Sequence, residues 1–293
     1  MSVPEIFDRT LLRRHRQRAT TGFAAHDFLF TEAAARVAER LGEVRRSFGL
    51  GLDLGCHTGA LARVLPAGLV EYLVQADLSE AMLGAASGLR LAADEERLPF
   101  RRDAFDLVAS VLTLHWANDL PGALAQAAAC LKSDGLLLVS LFGGGTLGEL
   151  RSVFDETELA ETGIGGRISP FVDIRDAGGL LQRAGLALPV VDTETVIVSY
   201  EDPLRLLDDL RGMGESNVLV RRSRLPLTRQ RLGAVMARYR ERFADAEGRV
   251  PASFELLTLT AWKTNLDQPR PLTSGRGERP LSDALGSGRK QGR

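Results

Sequence analysis

The segment Leu50–Gly59 reads LGLDLGCHTG, an apolar run that contains one acidic residue and breaks into a glycine-rich turn. A helical pattern covers residues 60–65 directly after it, and a second apolar run over residues 72–76 ends in Asp77, 24 residues after Asp53. A strand, a glycine-rich turn, a helix and a second strand with a terminal acid form the usual layout of a nucleotide-type cofactor site. The segment therefore predicts such a site at the carboxyl edge of a parallel sheet.

Strand-like and helix-like patterns alternate after this segment. The further strands are predicted over residues 89–93, 105–112 and 135–142, and the clearest intervening helices over residues 80–86 and 120–131. Residues 132–135 read KSDG, which is typical of a helix end and a turn before the fifth strand. This alternation favours a doubly wound, mostly parallel α/β sheet with right-handed crossovers.

The chain divides into five predicted segments. Residues 1–45 carry two helices, and the first of them, over residues 5–18, bears five arginines. We interpret it as an amphipathic helix with a solvated basic face, with the remnant of a transit segment as the alternative. The other segments are a cofactor-binding core over 46–200, a helical cap insertion over 201–252, a final core strand over 253–263 and a disordered tail over 264–293.

The bulk composition excludes several classes of protein. The chain has 293 residues, 44% of them hydrophobic and 26% charged, and a net charge of −1, which suggests neither nucleic acid nor a membrane surface as a partner. No run of about 18 apolar residues predicts a transmembrane helix. Cys56 and Cys130 are too few for a disulfide framework or a cysteine-rich metal site, so we expect no metal and a reducing compartment, the cytoplasm of a bacterium.

Two classes of nucleotide cofactor compete for the predicted site. A dinucleotide fold uses Gly-x-Gly-x-x-Gly after the strand, whereas this chain has Gly55-x-x-x-Gly59, with Asp53 two residues before the first glycine. A carboxylate at that place repels a pyrophosphate and attracts an ammonium group, which favours S-adenosylmethionine. The remaining acids are placed for the ribose and the adenine amine: Asp77, Asp94 and Glu95. A turn that binds no ligand is the alternative.

Several motifs resemble those of the class I S-adenosylmethionine-dependent methyltransferases. The generic ones are LDLGCxTG, ADLS at the end of the second strand, DEExLPF and FDLV. The narrower ones are IFDR over residues 6–9, LHWANDLP over 114–121, LKSDG over 131–135, FGGGTLGELR over 142–151, ISPF over 168–171, GMGESN over 212–217 and AWK over 261–263. Over about residues 5–263 the chain resembles the complex I assembly-factor branch, which is related to the biotin-pathway malonyl-carrier-protein methyltransferases.

The resemblance implies a seven-stranded sheet whose last strand is antiparallel, with S-adenosylmethionine as the cofactor. The contacts that it implies are Asp53, Gly55, Gly59, Asp77, Leu78, Asp94 and Glu95. The mitochondrial members are similar proteins reported to hydroxylate an arginine of a complex I subunit, whereas the bacterial members are usually interpreted as methyltransferases. A complex I subunit is therefore an expected protein partner, and the mitochondrial matrix is the expected compartment if the chain is eukaryotic.

His57 departs from the family pattern, which has a glycine in the middle of the loop. Two outcomes stand open: the histidine Cβ crowds the methionine end of the cofactor, or the backbone adopts a negative φ at little cost. Both concern the affinity for the cofactor more than the fold.

Four residues outside the loop are candidates for chemistry or substrate binding. His115 follows the fourth strand, where the reacting methyl group of such folds points, and it is a candidate general base; a loop histidine bonded to a backbone carbonyl is the alternative. Trp116 is a candidate for substrate stacking, with packing as the alternative. Glu215 and Asn217 lie on the glycine-broken loop of the predicted cap, where they either bind substrate or form a plain turn.

Three functions follow from these patterns. The first is an S-adenosylmethionine-dependent methyltransferase whose substrate is a protein or a carrier-bound group. The second is an arginine hydroxylase on the same scaffold, although none of the four histidines forms the His-x-Asp or His-x-Glu pair that an iron oxygenase would use. The third is a non-catalytic assembly partner for respiratory complex I. The set Asp53, Gly55, Gly59, Asp77 and Asp94 favours the first.

Overall fold

The computed structural model describes residues 5–162, 168–169, 171, 173–222 and 227–264. The strands are β1 Phe48–Leu54, β2 Val70–Asp77, β3 Leu89–Ala92, β4 Phe105–Val111, β5 Leu131–Phe142, β6 Leu186–Tyr200 and β7 Val250–Lys263. The α-helices are α1 Arg9–Ala19, α2 Phe28–Glu43, α3 Ala60–Val64, α4 Glu80–Ala85, α5 Leu120–Cys130, α6 Gly148–Thr162, α7 Ile174–Arg183, α8 Pro203–Gly212 and α9 Arg229–Phe243. Two short 3-10 helices cover Thr20–Ala25 and Leu114–Trp116.

The seven strands form one sheet in the order β3-β2-β1-β4-β5-β7-β6. Strands β1 to β5 are parallel, and β7 is antiparallel to both β5 and β6. The strand order reverses at β1, between β2 and β4, and ligands of open parallel sheets bind at the carboxyl ends of the strands beside such a reversal. The predicted doubly wound sheet and its antiparallel last strand are confirmed.

Both faces of the sheet are covered, which explains why its central strands read as continuous apolar runs. In β4, Leu107 packs into the core under α2, while its neighbour Val108 packs into the core under α5 and α7. Leu138 and Val139 of β5 divide in the same way between the two cores. The central strands are therefore fixed from both sides, and this holds the loops at their carboxyl ends in place.

The structure corrects three predicted boundaries. Residues 132–135 lie inside β5 and not in a turn before it, because pairing with β4 begins at Leu131 and shifts register before Leu136, leaving Asp134 at a φ of 63° in a bulge. Helix α1 begins at Arg9 instead of residue 5, because Asp8 caps it by accepting a hydrogen bond from the Leu11 amide at 2.9 Å. The last strand begins at Val250, earlier than residue 253.

The segment between β6 and β7 contains α8 and α9. Helix α8 packs against α1 and against the 3-10 helix Thr20–Ala25, so the inserted helices and the N-terminal helices meet above the sheet edge. Within the part of the chain that the structure describes, no helix is long and apolar enough to cross a membrane. The predicted disordered tail falls, from residue 265 onward, outside the described residues.

Candidate active site

The carboxyl ends of three adjacent strands bring together the acids that the sequence singled out. Asp53 lies near the end of β1, Asp77 ends β2, and Asp94 with Glu95 follows β3. Asp77 is fully buried and accepts hydrogen bonds from the His57 amide at 3.0 Å and from the Ser79 amide at 2.7 Å. The loop after β1 and the loop after β2 are thus joined through one carboxylate.

The two loop glycines are required by close packing as well as by backbone conformation. Gly55 has a φ of 74°, and a Cβ on it would lie 2.2 Å from Thr113 Cγ2. Gly59 has a φ of 81°, and a Cβ on it would lie 2.5 Å from Gln75 Oε1. The predicted tight turn is therefore present, and side chains from β2 and from the loop after β4 fill the space that a larger residue would take.

His57 adopts a positive φ of 50°, so the second of the two outcomes considered for it, a negative φ, is wrong. Its ring turns toward the N-terminal helices, where it stacks on Phe23 with centroids 5.9 Å apart and contacts Phe30 at 4.4 Å. Nδ1 donates to the Gly55 carbonyl at 2.9 Å. Burial and the positive charge of Arg16 lower the pKa of His57 to about 3, so the imidazole is neutral at physiological pH.

Two arginines of α1 contact these acids, and the sequence interpretation as a solvated face is wrong for both. Arg16 is completely buried, with Nη1 at 3.2 Å from Glu95 Oε1 and at 3.6 Å from Asp77 Oδ2. Arg9 donates to Asp94 at 2.8 Å and forms a second bond to Glu95. The sequence carried a signal for this, since the two arginines are seven residues apart and so share one face of the helix.

Asp53 is the one acid of the set that remains without a partner. It is fully buried, and neither carboxylate oxygen has a hydrogen-bond partner among the described residues. Burial and the nearby charge of Asp77 raise the pKa of Asp53 to about 8. A buried carboxyl that lacks a partner is costly when ionised, so a cation placed against Asp53 would be stabilised there.

A second group of residues lies at the end of β4 and on the loop after α8. Glu215 Oε2 accepts a hydrogen bond from Trp116 Nε1 at 2.8 Å and lies 3.1 Å from His115 Nε2. Burial raises the pKa of Glu215, but the hydrogen bond and charge of His115 and the charge of Arg16 outweigh it, so the pKa lies below its ordinary value. Because an ionised carboxylate only accepts, His115 donates to it from Nε2, and the buried Nδ1 has no hydrogen-bond partner among the described residues.

This group forms one wall of a cavity of about 230 Å³. The residues that line it include Trp116, Phe154, Phe171, Glu215, Ser216 and Asn217. Ser169 also lines it, and its hydroxyl, like Glu215 Oε1, has no partner among the described residues. Ser169 was missed as a candidate because a single serine within ISPF carries no signal of its own.

The structure therefore brings Trp116, Glu215 and Asn217 to one cavity and leaves His115 behind its wall. Asn217 Oδ1 accepts from the Leu219 amide at 2.8 Å, which also makes it part of a turn. His115 packs against Phe142 and Phe171, with ring centroids 4.8 and 5.6 Å away. In this arrangement His115 orients Glu215, and its role as a general base stays a prediction.

Replacing Glu215 tests whether its carboxylate fixes the side chains of His115 and Trp116. Glu215→Gln is expected to lower the free energy of unfolding by about 1–3 kcal/mol, because the two charge-assisted hydrogen bonds to Oε2 become weaker neutral ones. The imidazole nitrogen shifts of His115 should also change, because the hydrogen bond from Nε2 loses its charged acceptor. Urea denaturation and NMR of histidine-labelled protein check this, with Glu194→Gln on an exposed strand position as the control. Unchanged nitrogen shifts of His115 would contradict the hydrogen bond to Glu215.

The described residues contain no group of three or more histidine, cysteine or acidic side chains that could hold a metal ion. Cys56 is buried, and burial together with the charges of Asp53 and Asp77 raises the pKa of its thiol well above the usual range. The thiol is therefore not a nucleophile at neutral pH.

Comparison with known proteins places the chain among methyltransferase-like sequences. A family model described as "Methyltransferase domain" matches residues 52–139. The human protein "Arginine-hydroxylase NDUFAF5, mitochondrial" is 41% identical over 284 residues, which cover 92% of this chain and 80% of the relative. A "Malonyl-[acyl-carrier protein] O-methyltransferase" of Halorhodospira halophila is 36% identical over 264 residues, which cover 87% of this chain and 88% of the relative.

The solved structures agree on the fold. The YcgJ protein of Bacillus subtilis superimposes with a TM-score of 0.55 at 15% identity, and the match covers 78% of this chain and 98% of that one. At that identity the likeness concerns the sheet and its helices alone.

Proposed function

The chain belongs to the class I S-adenosylmethionine-dependent methyltransferases, in the branch that contains the NDUFAF5 arginine hydroxylases and the malonyl-carrier-protein O-methyltransferases, and we propose that it transfers the methyl group of S-adenosylmethionine to a protein or carrier-bound acceptor. The observation that carries this proposal is the unpartnered carboxyl of Asp53 beside the glycine-rich loop. A cofactor with an ammonium group satisfies that carboxyl, whereas a pyrophosphate would be repelled by it.

The residues at the strand ends are assigned to different parts of the cofactor. We assign Asp53 to the ammonium group, Asp77 to the ribose hydroxyls, and Asp94 with Glu95 to the adenine amine. Gly55, Gly59 and Leu78 supply backbone to the same site. Arg9 and Arg16 neutralise the acids at the end of β2 and after β3, so the edge of the sheet tolerates four carboxyl groups close together.

The second half of the site binds and orients the acceptor. When bound, the cofactor supplies an electrophilic methyl group on a sulfonium, and the protein has to hold a nucleophile in line with it. Trp116, Glu215 and Asn217 line the cavity that would hold the acceptor, together with aromatic and aliphatic side chains. Positioning then accounts for most of the rate, and no dedicated base is required.

Calorimetric titration tests the proposal directly. Purified protein is titrated with S-adenosylmethionine and, separately, with S-adenosylhomocysteine, and micromolar binding of both is expected. Methyl-labelled cofactor is then used to find the acceptor in an extract of the source cells. Failure of both ligands to bind would overturn the proposal and favour a non-catalytic assembly partner.

A specific observation keeps arginine modification as the second candidate function. Glu215 presents a free carboxylate oxygen in a cavity lined by Trp116 and Phe171, and a carboxylate among aromatic rings suits a guanidinium group. The 41% identity to a relative named as an arginine hydroxylase points the same way. Mass spectrometry of respiratory complex I subunits from cells with and without the gene separates the two, since a methyl transfer adds one methylene and a hydroxylation adds one oxygen.

A further inference from the structure

A second and larger cavity of about 610 Å³ lies between α1, the 3-10 helix Thr20–Ala25 and α8. Its volume lies within the range usual for ligand sites. Arg211 and Ser216 line both this cavity and the 230 Å³ cavity of the proposed acceptor site. The two cavities are therefore adjacent. We call the larger one the outer basic cavity.

The lining of the outer basic cavity carries more positive than negative charge. Its charged and titratable residues are Arg18, Arg205, Arg211, His15, His26 and Asp208. Arg211 is paired with Asp208 at 3.2 Å, and His26 Nδ1 lies 2.7 Å from Asp209 Oδ1. Asp208 and Asp209 are therefore both already in contact with other side chains.

Arg18 and Arg205 remain without compensation. Neither guanidinium forms an ion pair or a hydrogen bond with any residue in the described ranges. On the same helix as Arg18, Arg9, Arg13 and Arg16 each have an acidic partner, whereas Arg14 has none among the described residues but does not line the cavity. Two unpaired arginines in a concave site are an arrangement that binds oxyanions, because each planar guanidinium offers two parallel donors to a phosphate or carboxylate.

We propose that the outer basic cavity binds an oxyanion, a phosphate or a carboxylate, carried by the acceptor molecule a short distance from the atom that reacts. This inference rests on the proposed function, since it assigns the cavity to the same substrate. Arg18 and Arg205 bind the anion, and Arg211, which borders both cavities, lies on the path from the anion to the acceptor site. The substrate class is then an acceptor with an anionic tether or an acidic flanking segment.

The binding test uses inorganic phosphate and a tetraglutamate peptide as separate probes. Each is titrated calorimetrically into the wild type, into Arg18→Gln/Arg205→Gln and into Arg101→Gln/Arg102→Gln at constant ionic strength. The control pair removes the same charge from exposed positions near the amino end of β4, at the opposite edge of the sheet. We expect the cavity variant to lose at least about tenfold in affinity, since two charge-assisted hydrogen-bonded contacts are removed, and the control to match the wild type.

The two probes also identify the anion. A loss confined to phosphate assigns the cavity to a phosphoryl group, and a loss confined to the peptide assigns it to carboxylates. Equal affinity in all three proteins, or no binding to the wild type, overturns the inference.

Titration of the same proteins with S-adenosylmethionine separates this inference from the proposed function. Cofactor affinity is expected to be unchanged by the cavity substitutions, because neither arginine contacts the acids at the strand ends. If the cofactor binds and the substitutions leave anion binding unaltered, the inference alone fails. If anions bind through Arg18 and Arg205 and the cofactor does not bind, the proposed function fails and the cavity remains an anion site.

Discussion

Asp53→Asn is expected to stabilise the protein without cofactor at alkaline pH and to weaken cofactor binding in the same molecule. The asparagine amide is close to the size of the carboxyl group, but it carries no charge to be buried. With a folded-state pKa of about 8 against 3.8 for the exposed group, ionised Asp53 costs on the order of 5 kcal/mol at full effect, and the substitution removes that cost.

The effect has a defined pH window. Between about pH 4 and pH 8 the folded state keeps the Asp53 proton that the unfolded state has already lost, so the stability of the wild type falls as the pH rises. Above that window both states are ionised and the whole penalty is present. Urea denaturation of the wild type and Asp53→Asn should therefore give similar free energies of unfolding near pH 4 and the largest difference above pH 8.

Cofactor binding is expected to change in the opposite direction. A cation at Asp53 favours the ionised carboxyl, so binding below pH 8 releases a proton, and the measured heat depends on the ionisation enthalpy of the buffer. The asparagine variant should bind about 10- to 100-fold more weakly and release no proton, because one charge-assisted contact is lost.

Asp192→Asn is the matched control, because it makes the same change at a half-exposed residue paired with Arg40. A destabilised Asp53→Asn protein with unchanged cofactor affinity would show that Asp53 has a structural partner and does not face the ligand.

The parts of the site that the sequence predicted correctly are those specified by residues close together in the sequence. In Leu50–Gly59 the apolar run, the acid and the glycines determine a strand, its end and a turn within ten positions. The apolar runs of β2, β4 and β5 indicated buried parallel strands for the same reason. Because parallel strands end at one edge, Asp53, Asp77 and Asp94 could be placed together before any contact was known.

The parts that the sequence did not predict depend on distant partners. Arg16 is a plain basic residue on an amphipathic helix until Glu95, 79 residues away, is folded against it. Whether an arginine of this helix faces the interior or the solvent depends on where the acidic residues lie in the folded chain. A helical pattern in the sequence does not contain that information. The bulge at Asp134 likewise follows from the register between β4 and β5 and not from the turn-like letters KSDG.

The orientation of the His57 side chain was also not determined by the local sequence. The sequence left open whether its Cβ crowds the cofactor or its backbone adopts a negative φ, but the direction of its ring depends on Phe23 and Phe30, which belong to the N-terminal helices. These contacts offset the cost of a positive φ at a residue with a Cβ. A loop that looks defective against its family pattern is thus packed by elements outside the loop.

Arg16→Leu is expected to be the most destabilising substitution in the N-terminal helices. The guanidinium is completely buried between Asp77 and Glu95, and its loss leaves two carboxylates in the interior without their countercharge. Removing one partner of a buried ion pair costs about 3–5 kcal/mol, far more than removing an exposed pair.

Arg13→Leu is the matched control on the same helix, because Arg13 and its partner Glu80 are both exposed, and we expect little change in the free energy of unfolding. Arg16→Lys should fall between the two, since it keeps the charge and loses the planar donors that reach both acids. Urea denaturation of the three variants at pH 7 measures these differences. If Arg16→Leu is no less stable than Arg13→Leu, then Arg16 does not hold the acidic edge together, and the assignment of α1 as the element that neutralises the cofactor site is wrong.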